Sequence, residues 1–570
     1  DQLGLAHMVE HMAFNGTTHF AKQEIVSFME SIGMRFGPEL NAFTSFDETV
    51  YMLQVPTDRP GILEKSFLIL EDWAHNLSFD PKEIDKERGV IIEEWRLRRG
   101  AAARMQDRQL PILLHGSRYA ERLPIGTTKS IETFSHGRLK QFYADWYRPD
   151  LMTVIAVGDF DRAAVEALLK QHFGSMPAAK APRPRSSFTV PDHPDTLFAI
   201  ATDKEATSTS VAVYDKLPSR DERTVGAYRQ QMVEQLYSGM LNRRFSELAQ
   251  KPDAPFLGGG IGRGSFVRAA DAVTLNALVK EDGIERGLDA LFTEAARAAR
   301  LGFTATELER QKLDTLRSME RAAAEKDKQQ SAALASEYVR HATQDEPAPG
   351  IEFEYALHQR FLPGITLDEI NAVGTSWANP AGRNRVVVVS APQKEGLAVP
   401  DGPKLAAVMA GAASKALTAY VDTAAGLTLM ATPPTPGSIA RVTEKAAFGI
   451  TEWDLSNGVK VVLKPTTFKA DEVVFRATSP GGTSLASDAD YIAATSAASV
   501  VGAGGLGQLT AIELRKVLAG KAATVRPVIG ELEEGLTGSA SPKDLETLFQ
   551  LIHMTFTQPR ADATIFAAAL

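Results

Sequence analysis

The chain has 570 residues, 44% hydrophobic and 23% charged, and single cores rarely grow past about 250–300 residues, so three or more domains are expected. The formal net charge of −9 argues against nucleic acid as the main partner, since phosphate binding wants a basic face, and no apolar run approaches the roughly 20 residues needed to cross a bilayer. There is no cysteine, which excludes thiol catalysis, thiolate metal sites and disulfides, so any metal must be held by His, Asp or Glu.

In chain order, residues 3–14 read as a short helix closed by the turn pair Asn15-Gly16. Residues 21–32 come next, with Ile25, Phe28, Met29 and Ile32 at helical spacing and Gly33 as the stop. Residues 39–55 read as extended, rich in β-branched and aromatic side chains around Thr49-Val50-Tyr51. Residues 61–77 are again helical. Asp80-Pro81 is an N-cap followed by a first-turn proline and predicts a helix to about residue 98. A strand at 151–157 and a helix at 162–173 complete an α+β unit, taken as residues 1–195 and bounded by the proline-rich stretch 182–194.

The second unit, residues 196–392, has the same ingredients. Strands are predicted at 198–202, 208–213, 272–278 and 385–390, with helices through 236–248, 287–301 and 306–340. Gly258-Gly259-Gly260-Ile261-Gly262 reads as a flexible loop, since no Lys-Ser/Thr follows it to make a phosphate cradle. Residues 393–445 are rich in Ala, Gly and Pro and read as a linker with some helix.

A third unit spans 446–570. It opens with a hairpin at 453–463 on Asn457-Gly458 and a strand at 472–478. The segment after that strand repeats the start of the chain. Sliding by 488 lays Ala494-Thr495-Ser496-Ala497-Ala498-Ser499 on Ala6-His7-Met8-Val9-Glu10-His11. The third unit has strands before the matching helix and the first has almost none. N-terminal strands are therefore expected ahead of residue 1, with the third unit cut short, and the chain by itself is expected to be a poor peptidase despite an intact metal site.

The sharpest motif is His7-Met8-Val9-Glu10-His11. On a helix, His7 and His11 stand one turn apart on one face, with Glu10 beside it. Two imidazoles at that spacing can hold one Zn²⁺, and the neighbouring carboxylate can take a proton from a zinc-bound water. The order H-x-x-E-H is the inverzincin pattern. Leu3, Leu5, Met8, Val9, Met12 and Phe14 make the helix otherwise apolar, and buried titratable groups are costly unless paired or metal-bound. A third ligand is sought on the helix after Pro81. Glu87, Val90, Ile91, Glu94 and Leu97 share a face there, whereas Glu93 lies with Lys86, Gly89 and Arg96 on a polar one. Glu94 is thus the inward ligand, and Glu87, two turns earlier, suits a supporting role near the metal. The bland alternative for Glu94 is an ion pair with Arg98.

His7–His11, Asn41-Ala42-Phe43-Thr44-Ser45 and Glu87-Arg88-Gly89-Val90-Ile91-Ile92-Glu93-Glu94 together resemble the pitrilysin family of zinc metallopeptidases. This insulinase-like family includes insulin-degrading enzyme, the mitochondrial processing peptidase and bacterial periplasmic zinc proteases. The resemblance covers essentially the whole chain. It implies repeated α+β sandwich domains, two halves joined by a linker and enclosing a chamber. It implies a zinc-dependent endopeptidase acting on peptides or unfolded segments, with one Zn²⁺ on His7, His11 and Glu94. Glu10 and Glu87 are then the catalytic carboxylates, and Glu10 activates the water. Asn41, Ala42 and Phe43 become the substrate-binding positions of an edge strand that pairs with the peptide backbone. A periplasmic location is expected, a dimer is left open, and the vacated repeat (Thr495, Ala498, Ser499) marks an inactive half. The alternative is a non-catalytic scaffold or partner subunit of the same fold. Gly502-Ala503-Gly504-Gly505-Leu506-Gly507 matches a dinucleotide fingerprint, but a helical rather than strand-like segment precedes it.

Overall fold

The computed structural model describes residues 2–563 and 565–566; the outer limits of the first and third units, at 1 and 570, lie outside them. The first unit holds α1 (Leu5–Met12), α2 (Glu24–Ser31), β1 (Leu40–Thr44), β2 (Thr49–Leu53), α3 (Ile62–His75), α4 (Pro81–Leu97), α5 (Ala101–Leu113), α6 (Thr128–Thr133), α7 (His136–Trp146) and α8 (Arg162–Phe173). Leu5, Met8, Val9 and Met12 of α1 are fully buried. They pack with Ile84 and Ile91 of α4 and with Leu139 and Tyr143 of α7. Four such side chains bring roughly 1.5–3 kcal/mol each, enough to seat a helix too short to persist alone.

Gly4, at φ 83°, turns the chain into α1 in a left-handed conformation that an L side chain disfavours. A Cβ there would also lie 2.8 Å from the Ile125 carbonyl oxygen. At the start of α4, Asp80 caps the helix by accepting from the Lys82 and Glu83 amides, with Pro81 in the first turn. β1 and β2 pair antiparallel from Leu40↔Leu53 to Thr44↔Thr49. Leu40 anchors this hairpin in a cluster with Ile25, Met29, Ile69 and Trp73.

The second unit holds β3 (Leu197–Asp203), β4 (Thr209–Pro218), α9 (Val225–Ala249), β5 (Gly258–Val267), β6 (Ala270–Val279), α10 (Ile284–Leu301), α11 (Ala305–Ala324), α12 (Ser331–Gln344), α13 (Ile351–Phe361), α14 (Leu367–Trp377) and β7 (Arg385–Pro392). Its sheet runs β3-β7-β4-β6-β5, with only β3 and β7 parallel. Alternation puts Val211, Val213, Val387 and Val389 on one face, against Leu236 and Leu241 of α9 and Leu288 and Leu291 of α10. α5 of the first unit covers part of the other face, with Leu113 against Ala199 and Val386. Gln109 of α5 donates to the Val389 carbonyl at 2.9 Å.

Beyond it come α15 (Gly402–Ser414), β8 (Ile439–Lys445), β9 (Ile450–Leu455), β10 (Lys460–Leu463), β11 (Val473–Pro480), α16 (Tyr491–Gly504), α17 (Ala511–Val517), β12 (Ala523–Ile529), β13 (Glu533–Ala540) and α18 (Leu545–Thr557). The strands form two three-stranded antiparallel sheets, β10-β9-β8 and β11-β13-β12. The order α16-α17-β12-β13-α18 repeats α1-α2-β1-β2-α3. Even the isolated antiparallel bridge Thr17↔Leu77 has its counterpart in Leu506↔Pro559.

The structure corrects several expectations. Residues 152–157 form no strand, because β-branched residues favour extension but a strand also needs a ladder partner. The glycine run at 258–262 is part of strand β5, not a loop. Phe256 and Leu291 stand 3.2 Å from where a Gly259 Cβ would sit, so they fill the space a side chain would need. The helix predicted over 306–340 breaks at a 3-10 turn, Lys326–Lys328. On α4 the inward stripe is narrower than predicted. Ile84, Glu87 and Ile91 are buried, but Val90 is 50% and Leu97 83% exposed, because the single seam against α1 accommodates a 3-4 spacing and not the flanking positions.

Replacing Gly4 with Ala should loosen α1 by about 2 kcal/mol, through the strained φ and the clash with the Ile125 carbonyl. Amide hydrogen exchange of α1 in metal-free protein reads this directly. Unchanged exchange in Gly4→Ala would show that the close approach is not restrictive.

Candidate metal centre

α1 and α4 bring His7, His11 and Glu94 together, with one ligand-type atom from each lying within 4.8 Å of the others. His11 Nε2 is 3.3 Å and His7 Nε2 3.7 Å from Glu94 Oε2. Tetrahedral zinc with ligand bonds of about 2.0–2.1 Å separates its ligands by roughly 3.3 Å, so the donors are spaced for one small cation. The imidazole rings sit edge to face, 4.6 Å apart. Glu94 Oε2 and His7 Nδ1 are buried and make no well-aligned hydrogen bond, Oε2 having only the ion-pair contacts with the two imidazoles. A buried acceptor left without a well-made hydrogen bond costs roughly 1–3 kcal/mol, a cost that a cation bound by Oε2 would remove. The donor set therefore fits zinc: two nitrogens and one oxygen from protein, with a fourth position left over.

The supporting contacts fix which atoms face inward. His11 Nδ1 donates to Glu87 Oε1 at 2.8 Å, which turns Nε2 toward Glu94 Oε2, where its lone pair would be offered to a cation once its proton is lost. Glu87 is held in turn by Asn15, whose Nδ2 donates to Oε2 at 2.8 Å and to the His11 carbonyl at 3.1 Å. Arg98 Nη2 grips Glu94 Oε1 at 2.6 Å, so the Glu94–Arg98 ion pair coexists with the cluster and leaves Oε2 to face the histidines. Glu93 is exposed and pairs with Arg96. Glu10 is buried and accepts from Thr44 Oγ1 of β1 at 2.5 Å. Asn41, Ala42 and Phe43 lie on β1, a strand whose one ladder partner among the described residues is β2. Phe43 is exposed.

The charges follow the surroundings. Burial, reinforced by His11, lowers His7 to about 4. Burial also pulls on His11, but the Glu87 and Glu94 carboxylates outweigh it and raise this imidazole to about 9. Glu94 is held below its ordinary value chiefly by His11. Burial raises Glu10 against the opposing Thr44 hydrogen bond. Two participants are hidden in the sequence. Asn15 reads there only as a turn residue, and its place just past a helical His-Glu-His run is the one signal that could flag it. Thr44 stands within a motif that gives it no role of its own.

The family profile described as Insulinase (Peptidase family M16) matches residues 1–117, and that of the Peptidase M16 inactive domain matches residues 133–313. The chain is 32% identical over 98% of its length to a protein named zinc protease PQQL-like of Arabidopsis thaliana, covering 53% of that protein. It is 29% identical over its whole length to the probable zinc protease PqqL of Escherichia coli strain K12, covering 61% of it. The crystal structure of the periplasmic protease PqqL from Escherichia coli superposes with a TM-score of 0.69 at 27% identity, over all of this chain and 62% of that one. The chain thus spans between half and two thirds of the length of these relatives. The likeness establishes a mixed α/β, pitrilysin-like fold.

Two outcomes are expected of the metal. In metal-free protein at neutral pH, His11 carries a proton that a cation must displace, while His7 is already neutral. Apparent Zn²⁺ affinity should therefore rise about tenfold per pH unit from pH 6 to 8 and level off near 9. A flat profile in chelator competition would contradict the His11 assignment. Glu94→Gln should weaken zinc binding at least tenfold, with Glu93→Gln near neutral. The reverse order would overturn the choice of ligand.

Proposed function

This chain belongs to the insulinase family of peptidases, and on that premise we propose that it is a zinc-dependent endopeptidase holding one Zn²⁺ on His7, His11 and Glu94. The observation that carries the proposal is the convergence of two imidazole Nε2 atoms on a buried Glu94 oxygen that makes no well-aligned hydrogen bond. Glu10 stands one residue from His11 on the same helix and feels the charges of both His11 and Glu94. Bound zinc would supply Lewis-acid polarisation of the scissile carbonyl and acidify a water.

The remaining work belongs to the protein's own groups. Glu10 takes a proton on its carboxylate and returns it to the departing amine, a task suited to a carboxyl raised by burial. Glu87 acts through His11 by keeping Nδ1 protonated and Nε2 available. The edge of β1 at Asn41, Ala42 and Phe43 offers main-chain groups to an extended peptide, which favours peptides and unfolded segments over folded proteins. The pitrilysin-like likeness supports two halves enclosing the substrate. The periplasmic Escherichia coli relative supports a periplasmic location. Among the described residues no helix is long and apolar enough to cross a membrane.

Zinc-loaded protein should cleave an unstructured peptide. Glu10→Gln should lower that rate by about a hundredfold or more while retaining about one Zn²⁺ per chain. Cleavage by Glu10→Gln at the wild-type rate, or protein without zinc after zinc-replete growth, would overturn the proposal.

A further inference from the structure

Thr44 occupies the last paired position of β1, opposite Thr49 on β2. Strand alternation puts Leu40, Ala42 and Thr44 on one face of β1 and Asn41 and Phe43 on the other. Leu40 is fully buried, so Thr44 shares the inward face, and its hydroxyl reaches α1 to donate to Glu10 Oε2 at 2.5 Å. Among the described residues no other side chain hydrogen-bonds this carboxylate. Thr44 has one hydroxyl proton, and giving it to Glu10 leaves its oxygen to accept from Thr49 Oγ1, 3.2 Å away. Thr49 in turn hydrogen-bonds the Tyr147 side chain. Tyr51 and Tyr147 join their hydroxyls at 2.7 Å, and Tyr51 packs against buried Trp73. Thr44 is also β-branched and stiff at χ1, so its donor has little room to wander.

We propose that Thr44 is a positioning residue for Glu10: from the strand whose edge receives the peptide, its hydroxyl fixes the Glu10 carboxylate by engaging Oε2 and presenting Oε1 to the reacting centre. This rests on the reading of Glu10 as the base. A carboxylate at a helix surface otherwise turns freely about its terminal torsion, and a hydrogen bond to an ionised acceptor is among the stronger ones available to restrain it. Because Thr44 directly follows Asn41–Phe43 on β1, any peptide that displaces the strand also displaces the donor. The seating of substrate and the aim of the base are thereby set by one element.

The test compares Thr44→Val, which keeps shape and loses the hydroxyl, with Thr44→Ser, which keeps the hydroxyl. It uses zinc-loaded full chain with Glu10→Gln as reference. Zinc affinity is measured by chelator competition, kcat and KM on an unstructured peptide, and the affinity of a peptide hydroxamate, a metal-directed group whose acidic proton needs a carboxylate acceptor. Thr44→Val should lose about tenfold in kcat and in hydroxamate affinity, with zinc affinity and KM within twofold of wild type. Thr44→Ser should recover most of that loss. Wild-type kcat and hydroxamate affinity in Thr44→Val, with Glu10→Gln inactive, would sink this inference and leave the proposed function standing. Wild-type behaviour of Glu10→Gln would instead sink the proposed function. Loss of zinc affinity in Thr44→Val in parallel with kcat would also overturn the inference, since the effect would then act on the metal ligands. Should Thr44→Val melt far below wild type, Thr49→Val removes the donor behind Thr44 and is expected to show a smaller kcat loss of the same kind; no loss in a folded Thr49→Val would count against the relay.

Discussion

Everything at the centre depends on one constraint: α1 and α4 are packed so closely that His7, His11, Glu87 and Glu94 must satisfy one another where water has little access. Met8 and Val9 of α1 and Ile84 and Ile91 of α4 are essentially fully buried, which fixes the helices against each other in a single register. Buried charges are expensive unless paired, and here each partner is prescribed. Glu87 takes His11 and Asn15, Glu94 takes Arg98 on one oxygen, and its other oxygen faces two imidazoles. The apolar contact supplies the stability and the polar remainder supplies the site.

The surroundings keep that register from slipping. Arg88 of α4 reaches across to the carbonyls of Ile131 and Phe134 at the end of α6, with its guanidinium over the Phe134 ring. Asp72 of α3, fully buried, accepts from Thr17, from the His19 amide and ring, and from Asn76, so it pins the loop that carries Asn15. Tyr143 of α7 donates to the Trp73 carbonyl and so ties α7 to α3. A ligand helix held by both a cap and cross-helix hydrogen bonds loses little geometry when a cation enters, which is the condition for a preorganised site.

Local rules make much of this legible in the sequence. Asp80-Pro81 delimits α4 because a cap and a first-turn proline are local chemistry, and the helix read at 162–173 coincides with α8. Helical periodicity separates Glu94 from Glu93, and their contacts differ accordingly: Glu93 meets Arg96 in solvent while Glu94 turns toward α1. Periodicity does less well for Val90 and Leu97, since it gives a direction but not the width of the neighbour that covers it. Long-range partnership escapes it altogether. Asn15 and Thr44 act through residues 72 and 34 positions away, and no short window along the chain contains both ends. The strand at 258–267 is hidden for a related reason, because its glycines signal flexibility locally and become a ladder only beside β6.

The duplicated element order offers an internal control on what the charges of α1 require. α16 stands where α1 stands in the repeat, with Thr495, Ala498 and Ser499 in place of His7, Glu10 and His11. Apart from its terminal Gly504, no residue of α16 is buried, and Thr495 and Ser496 satisfy their hydroxyls on their own helix carbonyls. Nothing there has to be neutralised. The apolar centre of the third unit lies instead on α18 and the strands, around Leu548, Leu551 and Ala540. α16 thus carries no ionisable side chain at the three positions that are ionisable on α1. In the first unit His7 and Glu10 are buried and His11 is half-buried, so α1 carries a desolvation cost that α16 does not. On α1 that cost is met by partners on α4 and β1, Glu87 and Glu94 for the imidazoles and Thr44 for Glu10.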